Sequence, residues 1–166
     1  MRDSTRLTAI QQNSLWDFAL DFYARPGVSQ RLLRLQDAAG MDVCVLLWRL
    51  WLHHHGLVPT AHAERALADV HAWQREYTWP LRDRRRRLKP AAADDPALTP
   101  LRESLKEAEL LAEKAALARL EAISQQAGCV RHAAKDALVA VHVPDVQAGE
   151  LTPQQHHDLA LLWAQA

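Results

Sequence analysis

The run Val43-Cys44-Val45-Leu46-Leu47-Trp48-Arg49-Leu50-Trp51-Leu52 constrains the fold more than any other part of the chain. Arg49 is its single polar residue. An element that is apolar on every side has to be enclosed by its neighbours. The run falls far short of the ~18 residues that span a bilayer, so the enclosure is protein. A buried strand would show the same lack of periodicity. Asp42 in front and Gly56 behind favour a helix from Val43 to about His55. An aspartate accepts from the orphan amides of a first turn, and a glycine tolerates the left-handed backbone that ends a helix.

The segments around it supply helices to enclose it. Ser14 precedes Leu15-Trp16-Asp17, and Leu15, Phe18, Ala19, Phe22 and Tyr23 recur at helical spacing up to Pro26-Gly27. Val28, Leu32, Leu35 and Ala39 form the next stripe, closed by Gly40. Thr60 opens a fourth helix, with Ala63, Ala66, Leu67, Val70, Trp73, Tyr77 and Leu81 on one side. Pro80 lacks an amide hydrogen and crowds the carbonyl of Glu76, so a kink or break is expected near Trp79, with helix resuming through Leu88. The stretch from Pro90 to Pro96 reads as a linker.

Thr99-Pro100 places a cap and a proline at the start of a long helix, about residues 100–127. Its expected face is Leu101, Leu105, Ala108, Ala112 and Ala115, an alanine-rich surface that permits close approach of another helix. Thr152-Pro153-Gln154-Gln155 is a capping box for a last helix, about 153–165. The conformation of 129–151 stays open, with Leu138 to Val143 either helical or extended. The expected fold is therefore all-α, residues 1–166 forming one domain of five to seven helices around the apolar helix. Roughly two thirds of the surface of a chain this long can be buried, so the core needs neither metal nor disulfide.

Composition narrows the function classes. Apolar residues make up 49%, and 20 basic residues balance 20 acidic ones, which argues against disorder, a membrane span and a general polyanion binder. Cys44 and Cys129 are too few for a disulfide framework or a zinc knuckle, and Cys44 reads as a small core residue. Residues 1–6 lack the apolar run of a secretory signal, so the expected location is the cytoplasm.

Three constellations could carry chemistry. Arg82, Arg84, Arg85, Arg86 and Arg87 suit phosphate or carboxylate oxygens. They also end a helix, where positive charge is favoured, and Asp94, Asp95, Glu103, Glu107 and Glu109 follow. An antiparallel hairpin would lay the two charge clusters side by side, and this structural account is preferred over an anion site and over nucleic acid, which is disfavoured. Next, His53-His54-His55 diverge on a helix, and no histidine lies at the i, i+4 spacing of a ligand pair, so no metal is expected. Last, six tryptophans are many for this length. Trp48 and Trp51 belong to the core, while Trp73 and Trp79 near Pro80 could wall a pocket.

No nucleophile elbow, phosphate loop or dinucleotide fingerprint is present, and no cofactor is implied. The candidate binding residues are Trp73, Glu76, Trp79, Arg82, Arg85 and Arg86. The leading expectation is a helical interaction or regulatory module without catalysis, its partner a protein or an anionic ligand. The alternative is a binding protein or enzyme for an anionic or amphipathic small molecule at a Trp-lined pocket near Pro80. Enzyme status and oligomeric state stay open.

The ordered motifs Ser14-Leu15-Trp16-Asp17-Phe18-Ala19, Tyr23-Ala24-Arg25-Pro26-Gly27-Val28, Leu35-Gln36-Asp37 and Gly40-Met41-Asp42-Val43 carry a resemblance. With Leu46-Leu47-Trp48 and the later Trp73…Glu76…Pro80-Leu81-Arg82, residues 12–89 resemble a family of uncharacterised proteobacterial proteins, a domain of unknown function. The resemblance implies a small bacterial cytoplasmic protein and brings no activity, cofactor or site residues with it.

Overall fold

A computed structural model of the protein describes Ile10, residues 12–133 and residues 151–166. Leu138 to Val143, expected to be helical or extended, lie outside the described residues. The fold is all-α, with six helical rods and one two-stranded ribbon among the described residues.

Helix α1 (Leu15–Ala24) starts where Ser14 accepts from the Asp17 amide. Helix α2 (Val28–Ala39) ends at Gly40, whose φ of 64° is the left-handed turn that the sequence reserved for glycine. Helix α3 (Val43–His54) starts where Asp42 accepts from the amides of Cys44 and Val45. All residues of α3 from Val43 to Leu52 are buried. It packs against α1, α2, a long helix α6 (Leu98–Gln125) and a last helix α7 (Pro153–Gln165). Trp48 and Trp51 are enclosed, each with its indole N–H satisfied: Trp48 donates to Ser124 Oγ at 2.7 Å and Trp51 to the Asn13 carbonyl at 3.0 Å. The capping box at Thr152 forms as expected.

Strands β1 (Leu57–Pro59) and β2 (Val130–His132) pair antiparallel, Leu57 opposite His132. Sequence patterning did not foresee this ribbon, because each strand is three residues long and carries no alternation. It clamps the chain after α3 to the chain after α6, helped by Thr60 Oγ1 donating to the Gly128 carbonyl at 2.6 Å.

Three expectations need correction. Pro80 does not break the rod at Trp79, which is helical with φ −66° and ψ −39°. Helix α4 (Ala61–Trp73) instead widens into a π-turn (Gln74–Thr78) and continues as α5 (Trp79–Asp94). The wider turn accommodates a proline whose ring would crowd the carbonyl four residues earlier in an α-helix. Second, Pro90 lies inside α5, and the linker shrinks to Asp95–Ala97. Ala91–Ala93 are strong helix formers, and the acceptor that Pro90 leaves idle sits on Arg86 at the exposed surface. Third, α6 starts at Leu98, with Asp95 Oδ1 accepting from the Ala97 amide at 2.9 Å. Its buried face is Glu109, Ala112, Ala116, Leu117, Leu120, Ile123 and Ser124; of the expected stripe Ala112 is buried, Leu105, Ala108 and Ala115 are half-buried and Leu101 is exposed.

The π-turn has a further effect. One extra residue per turn rotates everything beyond it. The inward line runs Val70, Gln74, Thr78, Arg82, in steps of four, so Tyr77 faces out. Arg82 is thereby turned onto α6.

Candidate functional site

Helices α5 and α6 form an antiparallel hairpin. Arg82 Nε donates to Glu109 Oε1 at 2.9 Å and its Nη2 to Glu113 Oε1 at 2.6 Å. Arg85 grips Glu109 through Nε and Nη2. Arg86 crosses to Asp37 of α2 at 2.6 Å, and Arg87 reaches Asp83 within α5 at 3.9 Å. The expected charge hairpin exists: Glu109, one of the acids expected there, pairs with Arg82 and Arg85, with the correction that Glu113 joins it in place of Glu103, Glu107, Asp94 and Asp95.

Burial pushes the Glu109 carboxyl up, and the bonds from Arg85 and Arg82 more than reverse this, leaving it below the usual carboxylate value. Burial raises Glu113, and Arg82 offsets this only in part. The Tyr23 hydroxyl, on α1 beside them, is pushed up to about 12 by burial and then by the Glu113 charge. These groups line a groove of about 270 Å³ between α2, α5 and α6, with Leu33 and Leu110 as apolar walls and Lys106 at the rim. Each cation facing the inner groove is already matched by a carboxylate, so its chemistry is largely spent on holding the hairpin.

A second cleft, of about 290 Å³, opens where the α2–α3 turn meets α3 and α4. Met41, Val45 and Leu46 form its floor, Trp79 one wall, and Arg49, His71 and Arg75 its polar edge. Trp79 is 36% exposed. Arg49 is only 5% exposed and has one carboxylate partner, Glu64 Oε2 at 2.7 Å; its Nε is buried without an acceptor. Asp42 also lines this cleft, but its carboxylate is committed to the α3 cap and to Gln74 Nε2, at 3.0 and 3.2 Å from its two oxygens.

The six residues picked from the sequence do not form one site. Trp79 lines the second cleft, while Arg82, Arg85 and Arg86 line the first groove. Trp73 stacks with Tyr77, its centroid 4.3 Å away, and donates to the Ala112 carbonyl at 3.0 Å. Glu76 points to solvent and does not meet Arg82. Arg49, His71 and Arg75 were missed, since each looks like an ordinary helix residue in sequence. Arg49 alone carried a signal, as the one charge in an apolar run.

The ring of His53 turns towards Trp163, while those of His54 and His55, expected to diverge, meet edge-on with centroids 5.2 Å apart beside Phe18 and Trp51. Burial and the neighbouring His54 lower both His53 and His55. Among the described residues no cluster of His, Cys, Asp or Glu is placed to hold a metal, and no helix is long and apolar enough to cross a membrane.

A third feature is the outer face of α6. Leu101 is 50% and Leu111 67% exposed, with Ser104, Ala118 and Ala122 exposed along the same side. Helix α5 contains no buried residue, so the distal hairpin rests on little besides its own two helices.

These features define a small all-α protein with a projecting helical hairpin. A family model described as "Protein of unknown function (DUF2390)" matches residues 14–120, and the chain belongs to that family. The match runs from α1 through most of α6, beyond residue 89 where the sequence resemblance stopped. No curated protein and no solved structure matches the chain.

Proposed function

We propose that the protein is a bacterial cytoplasmic interaction module without catalysis, and that it docks a partner on the outer face of α6. One observation carries this reading: two leucines, Leu101 and Leu111, stand half or more exposed on a 28-residue helix. With the small residues between them, the two leucines leave a continuous apolar strip of the helix open to a partner. The unpaired buried thiols of Cys44 and Cys129 fit a reducing compartment. The carboxyls with shifted acidity, Glu109, Glu113 and Asp158, are engaged in ion pairs that tie helices together, which suits a scaffold better than a proton-transfer site. A photo-cross-linking residue at position 111, compared with one at position 84 on the hairpin's other helix, tests the reading in cells. Cross-links from 111 and not from 84 support it; none from 111 refutes it.

The cleft beside Trp79 favours a second reading, a site for an anionic or amphipathic small molecule. An indole wall, an apolar floor and the exposed Arg75, which has no ion-pair partner among the described residues, support it. Titration with indole-3-carboxylate, followed by the Trp79 indole N–H resonance, tests it. A shift lost in Arg75→Ala supports the site, and no shift removes it.

A further inference from the structure

The outer face of α6 has a register of its own. Leu101, Ser104, Ala108, Leu111, Ala115, Ala118 and Ala122 are separated by alternating steps of three and four. That spacing keeps one seam in line along a helix that pairs with another helix. The seam covers about 32 Å of helix at 1.5 Å per residue. The opposite side of α6 holds its buried residues; on the seam Leu101, Ser104, Leu111, Ala118 and Ala122 are exposed, and Ala108 and Ala115 are half-buried.

The residues flanking the seam say what covers it. Glu107 and Lys114 lie on the same edge, seven positions apart, and both are exposed. Neither has an ion-pair partner among the described residues. Lys114 rests over the Trp16 ring, 5.0 Å from its centroid, which holds the ammonium at that edge. A parallel copy of this helix would face that edge with the partner's other edge, setting Glu107 beside Ala112 and Lys114 beside the like charge of Arg119. An antiparallel copy, related by a two-fold axis near Leu111, sets Glu107 of each copy against Lys114 of the other. The charges are thus self-complementary in one orientation and repulsive in the other, which is how flanking charges select partner and direction. The alanines at 108, 115 and 118 allow the axes to come within about 8 Å, while the two Leu111 side chains meet near the axis.

We propose that the partner on this face is a second copy of the chain, the two α6 helices packing antiparallel along the Leu101–Ala122 seam with reciprocal Glu107–Lys114 pairs. This rests on the docking reading given above and names its occupant.

Sedimentation equilibrium over a roughly hundredfold concentration range tests it, since a self-associating protein changes apparent mass with concentration. The wild type is expected to dimerise. Leu111→Glu and Glu107→Lys should each weaken dimerisation about tenfold or more, because each introduces like charge or an unpaired charge at the contact. The double exchange Glu107→Lys with Lys114→Glu should restore it. Circular dichroism and the denaturation midpoint of each variant, expected to match wild type, separate lost contact from lost fold. A wild type that stays monomeric overturns the second copy. So does a dimer indifferent to Leu111→Glu, or a double exchange that does not recover what the single change lost. Cross-links from position 111 to a different protein would overturn the second copy while leaving the docking face in place.

Discussion

Arg82 donates from Nε to Oε1 of Glu109 over 2.9 Å, with both side chains largely withdrawn from solvent. The contact links the turn after the π-segment to the point where α6 begins to enter the core. Arg85 shares the same carboxylate, and Glu113 takes the other edge of Arg82, so two cations and two anions close on each other. Such a cluster contributes little against an apolar replacement, yet removing one member leaves a charge without its partner.

Glu109→Gln should therefore destabilise the protein by about 3 kcal/mol at neutral pH. Glu113→Gln should change it by less than about 1 kcal/mol, because the fold already disfavours the charged form of that carboxyl. Urea unfolding of both variants measures the difference. The pH dependence has a definite sign. Glu109 has a lowered value in the fold, so its contribution is present above about 4.5, its ordinary value, and is lost as pH falls through the lowered one. Glu113 has a raised value and acts oppositely, its penalty easing as pH falls through that raised value. The acid limb of the stability curve should accordingly flatten in Glu109→Gln.

Helix α3 is the centre of the core, and Leu47 is 3% exposed within it. Leu47→Ala removes buried methyl groups at a site enclosed by several helices, with little freedom to collapse. The expected cost is about 2–5 kcal/mol. An unchanged chemical-denaturation midpoint would contradict the enclosed position.

Helix α7 is held to α2 by Arg34, which donates to the two oxygens of Asp158 at 3.0 and 2.8 Å. Asp158 is buried, and the Arg34 bonds lower its carboxyl from the ordinary 3.8. Asp158→Asn should cost about 2 kcal/mol, the order expected for hydrogen bonds to a charged group. Because the value is lowered, this contribution holds above pH 3.8 and disappears below it. Hydrogen exchange along α7 should accelerate in the variant before exchange along α3 does, and equal acceleration in both would show that α7 is not a separately tethered element.

The helix starts were legible because capping is local. Ser14, Asp42, Thr60 and Thr152 each accept from an amide two or three residues on, and nothing distant is needed. The pairing of the arginines was legible in kind and wrong in register. A turn over Pro90–Pro96 has its middle near residue 93 and brings Arg82 opposite Glu103. The observed turn at Asp95–Ala97 moves the middle to 96 and brings Arg82 opposite Glu109. The helix runs on through Pro90, whose idle acceptor on Arg86 lies at the exposed surface, into the helix-forming Ala91–Ala93. The π-turn had no local signature beyond Pro80. Its consequence, Thr78 and Arg82 facing inward in place of Tyr77 and Leu81, dispersed the site proposed at the kink. The Trp79 cleft depends on α3 and α4 lying beside the α2–α3 turn, a tertiary fact that spacing along one helix does not contain.

The two cysteines offer a direct measure of how the core opens. Cys44 sits in α3 and Cys129 just before β2, both buried and unbonded. Burial also pushes the Cys44 thiol well above its ordinary value, so little thiolate exists even when a reagent reaches it. Native protein should therefore react slowly with an aromatic disulfide reagent at neutral pH, and both thiols should react at once in denaturant. The two rates need not be equal. Cys129 is released by opening of the short ribbon, whereas Cys44 needs the central helix to separate from the rest. Local openings of ribbons and termini cost less than global unfolding, so Cys129 should react first. The variants Cys44→Ala and Cys129→Ala assign each phase. A faster Cys44 would mean that α3 is reached through the Gln74–Thr78 turn beside it and not through global opening.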